Sequence, residues 1–199
     1  IAQVVLIREL LVTFYGNELS IGIILANWLI LEAVGSFFLG RIGKKTGRSV
    51  ETYVVLQFAI AVFLPLAVFG ARVVKGMLGI PLGETVGLFP VFYSSLLLLA
   101  PLSLAGGALF TIGCRIYSDL TREAIPSIAR VYIYEAIGAM IGGLLLTFLI
   151  IPYFHSIQVA FGVSGLNLVS AILLIALFQK PSLIVWRVEH PFWMSFHSR

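Results

Sequence analysis

The sequence predicts an all-α, polytopic membrane protein: a six-helix transmembrane bundle followed by a short tail. Three observations carry this. Of the 199 residues, 60% are hydrophobic and only 11% charged, with a mean hydropathy of +1.06; one soluble core of this size could not hide that much apolar surface. Six apolar runs approach the roughly 20 residues needed to cross ~30 Å of hydrocarbon. Apolar residues cover every face of these runs, as in lipid-embedded helices, and the alternation of a strand barrel is not visible.

The runs are Ile1–Tyr15, Ser20–Gly40, Tyr53–Ala71, Leu88–Ile112, Val131–Tyr153 and Ile157–Phe178. The first starts inside an apolar stretch and is expected to be cut short there. Between the first two lies "FYGNELS": Gly16 and Asn17 make a turn, and Glu18 or Ser20 caps the next helix, where an acid suits the helix dipole. Pro65 and Pro101 fall inside spans and are expected to kink them. Residues 1–179 form the membrane domain. The tail, 180–199, carries Trp186, Trp193, basic residues and two prolines, which suits an interfacial segment or linker.

Orientation follows from Lys and Arg. Ten of the thirteen basic residues fall on one side of a six-span arrangement: Arg41, Lys44, Lys45, Arg48, Arg115, Arg122, Arg130, Lys180, Arg187 and Arg199. The opposite side holds Arg72 and Lys75, and Arg8 lies within a span. The basic side is therefore read as cytoplasmic. Topology accounts for the basic residues, so no nucleic-acid partner is expected. The single cysteine, Cys114, excludes an internal disulfide and reads as a small buried hydrophobe.

Small residues mark expected helix contacts. Gly106, Gly107 and Gly113 lie on the fourth run, and Gly138 and Gly142 on the fifth. They read either as tight packing points or as a thin wall beside a substrate path.

Four charges fall inside spans, Arg8, Glu9, Glu32 and Glu135, and each is costly there unless paired or hydrated. At ~1.5 Å per residue, Arg8 and Glu32 differ in depth by ~7 Å, so an Arg8–Glu32 pair is expected. Glu9 lies about 100° from Arg8 around the helix and points elsewhere, toward a cavity or backbone donors. Glu135 is either an acid tied to a neighbouring helix or part of an inward row of acids suited to a cation or protons. The histidines His155, His190 and His197 lack partners at metal-ligand spacing, so neither metal nor other cofactor is expected. No phosphate-cradling loop and no nucleophile–base set is visible, so this chain carries no catalytic motif of its own.

Two stretches carry a resemblance. "AQVVLIRELLVTFYGNELSIGIILANWLILEAVGSF" (Ala2–Phe37) resembles the opening of bacterial membrane proteins that fuse a major-facilitator-like domain to a spermidine-synthase-like domain. "ARVYIYEAIGAMIGGLLLTFLIIPYF" (Ala129–Phe154) resembles a later helix of the same domain. In "GRIGKKTGRS", Gly40, Lys45, Gly47 and Arg48 fit the facilitator loop between its second and third helices, and Lys44 stands where that loop has an acid. The glycines and basic residues are equally those of a tight cytoplasmic turn.

The resemblance implies half of a facilitator bundle in the bacterial inner membrane, joined in the family to a soluble aminopropyltransferase domain that is absent from this chain. It implies a domain that anchors such an enzyme and passes a polyamine or other cation, for which carboxylates are natural partners. Two alternatives stand beside it: a non-catalytic accessory subunit of a larger membrane complex, and a half-transporter working as a dimer around a midplane site. The expected partners are the lipid bilayer, other membrane subunits or a fused or associated soluble domain, and a polyamine or cation.

Overall fold

The computed structural model describes residues 2–14, 18–46, 49–77, 87–121 and 124–179, and among these described residues the regular secondary structure is all helix. In chain order the helices are α1 (Ala2–Thr13), α2 (Glu18–Thr46), α3 (Ser49–Met77), α4 (Leu88–Thr121), α5 (Ala124–Leu145) and α6 (Ser156–Gln179). A single π-turn, Leu146–Ile150, extends α5, with the Ile151 N–H donating to the Leu146 carbonyl at 2.9 Å. Five helices, α2 to α6, are long and apolar enough to cross a membrane. At 12 residues, α1 spans only ~18 Å and falls short of the hydrocarbon thickness. The expectation of six spans thus becomes five long helices and one short one.

The long helices overrun the apolar runs. Hydropathy falls at charged residues, but the backbone bonds of a helix continue through them. α2 continues to Thr46, so Gly40 to Thr46 are helical rather than a loop; Gly47 and Arg48 lie outside the described residues. α3 continues past Ala71 to Met77 and takes Arg72 into the helix. Pro65 and Pro101 both sit inside uninterrupted helices, α3 and α4. Gly16, Asn17 and the tail 180–199 lie outside the described residues, while Glu18 occupies the first turn of α2.

The bundle is organised by the pairing of α2 with α4. Asn27 Nδ2 donates to the Phe92 carbonyl and to Ser95 Oγ, each at 2.9 Å. Further along, Ser36 Oγ and Thr111 Oγ1 share a hydrogen bond of 2.6 Å. Both residue numbers rise together, so the two helices run parallel. Between these polar contacts the backbones touch. A Cβ on Gly35 would overlap the Leu104 carbonyl, and one on Gly107 would overlap the Glu32 carbonyl. Gly40 packs on Thr111, where a Cβ would come within 2.7 Å of its methyl carbon. With no water to expel, such helices are held by close dispersion contact and by interhelical hydrogen bonds, and only glycine permits this approach.

α3 runs antiparallel to α4. Gly70 faces Leu98 near one end, and Tyr53 faces Gly113 near the other. α6 lies against α3, with Gln57 Nε2 donating to Ser170 Oγ at 3.2 Å. The buried core runs through Leu6, Leu10, Ile24, Leu64, Val68, Leu99 and Leu146, and Cys114 is buried as expected of a small hydrophobe. Large apolar side chains such as Phe38, Phe58, Phe69, Phe148 and Ile172 point outward. That inverted surface suits lipid rather than water.

Of the glycines expected at contacts, Gly107 packs backbone to backbone, Gly106 and Gly113 are in ordinary contact with Glu32 and Tyr53, and Gly142 is buried, whereas Gly138 faces open space. Gly35 and Gly138 therefore separate packing from composition. Gly35→Ala is expected to destabilise the bundle by about 1–3 kcal/mol, since a backbone must move. Gly138→Ala leaves stability unchanged or raises it by up to about 1 kcal/mol through helix propensity. Thermal unfolding of both variants in detergent reads the difference.

Candidate functional site

The four intramembrane charges separate into three places. On α1, Arg8 and Glu9 point apart, as adjacent helical residues must. Glu9 is buried and takes a salt bridge from α3: Arg72 Nε lies 2.6 Å from Glu9 Oε1. Thr13, one turn on, donates to the Glu9 carbonyl at 2.8 Å and reaches the Ala71 carbonyl at 3.4 Å. Together these tie the end of α1 to the end of α3. Arg8 is exposed and borders a small cavity with Leu146, Ile151 and Ser156, where the π-turn meets the start of α6.

The expected Arg8–Glu32 pair does not form. Depth along a helix says nothing about which face a residue takes, and Arg8 turns toward the π-turn and α6 instead. The partner that sequence reasoning missed is Arg72. Arg72 falls just past the third apolar run, which ends at Ala71, yet α3 continues through it to Met77. Glu32 instead accepts a hydrogen bond from Trp28 Nε1 at 3.0 Å, one turn back on its own helix. That spacing of four was legible in "WLILE".

Glu32 and Glu135 do come together. They line one groove of about 480 Å³ between α2, α4 and α5. α2 contributes Leu29, Glu32, Ala33 and Ser36; α4 contributes Gly107 and Phe110; α5 contributes Tyr132, Glu135, Ala136 and Ala139. The spacing explains the set. Residues 29, 32, 33 and 36 form one face of α2, and 132, 135, 136 and 139 form the matching face of α5. The close approach of Gly107 to the Glu32 backbone sets the floor of the groove.

The groove's polar inventory is short. Ser36 Oγ is engaged with Thr111 and one oxygen of Glu32 with Trp28. Glu135 is exposed to the groove. All ten residues from Tyr132 to Ile141 on α5 are exposed, so the helix is open on every face over nearly three turns. Among the loop residues fitting the facilitator pattern, Gly40 serves the α2–α4 contact, Lys45 lies in α2, and Gly47 and Arg48 lie outside the described residues. Among the described residues no group of three His, Cys, Asp or Glu side chains is placed to hold a metal.

These features define the class: an α-helical, multi-pass membrane protein with a carboxylate-bearing groove in its side. Comparison with protein family models, with curated proteins and with solved structures returns no match.

The Glu9–Arg72 tie has a measurable weight. Arg72→Ala leaves the Glu9 carboxylate buried without its partner and is expected to cost about 1–2 kcal/mol, a value discounted because the Arg72 side chain is 47% exposed. The double variant Glu9→Gln/Arg72→Ala is expected to recover part of that loss. A double-mutant cycle followed by chemical unfolding measures the coupling.

Proposed function

We propose that this chain is a membrane-embedded domain that binds an organic cation in the groove between α2, α4 and α5. The observation that carries the reading is the convergence of Glu32 and Glu135, from different helices, on one mostly apolar cavity. Carboxylates inside spans are expensive, by about 2.5–3.5 kcal/mol for an acid at a helix centre, and a cationic ligand offsets that cost. The cavity lies within the range of roughly 300–1,000 Å³ typical of small-molecule sites.

The resemblance to spermidine-synthase-like membrane proteins adds two elements to the reading. The domain anchors a soluble aminopropyltransferase-like partner, and the resemblance taken alone would make the cation a polyamine. The bacterial inner membrane is its proposed location, with the basic ends cytoplasmic. The parallel course of α2 and α4 supports this orientation, because it brings Arg41 and Arg115 to the same end of the bundle, with Arg72 toward the other.

The accessory-subunit reading has one observation in its favour. Gly138 and Gly143 on α5, and Gly162 and Gly165 on α6, face open space, which is where another subunit's helix could approach.

The cation reading is tested by equilibrium binding in lipid nanodiscs with a panel of ammonium and phosphonium cations. Glu135→Gln is expected to weaken binding about tenfold or more, the size of one lost charge-assisted contact of about 1.5–3 kcal/mol. Glu9→Gln, remote from the groove, is expected to leave affinity unchanged. Equal affinity in the wild type and Glu135→Gln would remove the groove as the site.

A further inference from the structure

Resting on the cation reading of this groove, we propose that its occupant is a bulky lipophilic cation, without N–H donors, that enters sideways from the bilayer. The polar groups of the cavity set the first limit. Ser36 is committed to Thr111, and Trp28 holds one oxygen of Glu32. That leaves Glu135, the second oxygen of Glu32 and the hydroxyl of Tyr132 as the other side-chain polar groups of the lining residues. The remaining wall is Leu29, Ala33, Phe110, Ala136 and Ala139, whose side chains accept no hydrogen bond.

A linear polyamine carries several ammonium groups, with three strong donors on each terminal one and two on each internal one. Burying those donors against alanine and leucine leaves them unmet, which is costly. A cation whose charge is shielded by apolar substituents has no such donors. It interacts with the carboxylates by charge alone and with the faces of Phe110 and Tyr132 as a cation over aromatic rings. A groove of about 480 Å³ is also far more than a slender methylene chain fills.

The route of entry follows from α5. Its residues Tyr132 to Ile141 are exposed all round, so the α5 wall of the groove borders the surroundings of the bundle directly. Past residue 141 the groove side of α5 closes, with Leu146 buried, so the opening to the surroundings lies along 132–141. In a bilayer those surroundings are acyl chains, where a lipophilic cation partitions and a polyamine does not.

The experiment measures binding of radiolabelled tetraphenylphosphonium to the purified protein in nanodiscs, with empty nanodiscs subtracted and spermidine as competitor. The expected result is saturable binding that a hundredfold excess of spermidine does not displace. Glu135→Gln weakens it at least tenfold, and Phe110→Ala weakens it severalfold. Tyr132→Leu, which removes a ring and hydroxyl but no charge, gives a second reading should Glu135→Gln fail to fold, and is expected to weaken binding severalfold. If spermidine binds and tetraphenylphosphonium does not, or if spermidine displaces it at equal concentration, the lipophilic assignment is overturned while the cation groove stands. If no cation in the panel binds saturably, both fall. Wild-type affinity for tetraphenylphosphonium in Glu135→Gln, or in both aromatic variants, overturns the placement in this groove.

Discussion

The structure depends first on the backbone contact between α2 and α4. Gly35 lies against the Leu104 carbonyl and Gly107 against the Glu32 carbonyl, so neither position accepts even a methyl group. Lipid tails are as apolar as leucine, so burial alone gives these helices little reason to associate. What holds them is the number of atoms brought into close contact, together with the polar pairs at the two ends, Asn27 with Ser95 and Ser36 with Thr111. The other helices then take their places around this pair: α3 antiparallel to α4, α6 behind α3, and α5 loosely at the side.

The same contact shapes the groove. Because Gly107 brings the α4 backbone against Glu32, the α2 face bearing Glu32 and Ser36 is drawn down to α4 while α5 stands off. The space between them is what Glu135 and Tyr132 border from the opposite wall. A larger residue at 107 would push α4 away and change the depth of the cavity as well as the stability of the pair. Packing and candidate chemistry are therefore linked through one glycine.

The two charged places in the molecule use charge differently. At one end, Glu9 and Arg72 neutralise each other across α1 and α3, with Thr13 bound beside them. Each carries the other's burial cost, and neither remains for a ligand. In the groove, Glu32 and Glu135 have no cationic neighbour among the lining residues. Two acids bordering an apolar cavity with no cation among its lining residues are an unfinished arrangement, and a ligand cation completes it.

Composition by itself determined the class of fold. A chain this apolar, broken at nearly regular intervals by basic and turn residues, has to place its backbone bonds inside helices, because lipid offers no other partner for them. The long helices, the buried Cys114, the packing roles of Gly107 and Gly113, and the divergence of Arg8 from Glu9 were all legible, since each follows from local periodicity or local chemistry. Tertiary structure alone decided the partners. Glu9 with Arg72, Gly35 with Leu104 and Glu32 with Glu135 are separated by 63, 69 and 103 positions, the differences of their residue numbers. Hydropathy and helical depth describe position along the membrane normal, but a pairing also requires the rotation of each helix about its axis and the order of helices around the bundle. Side-chain packing between helices sets both.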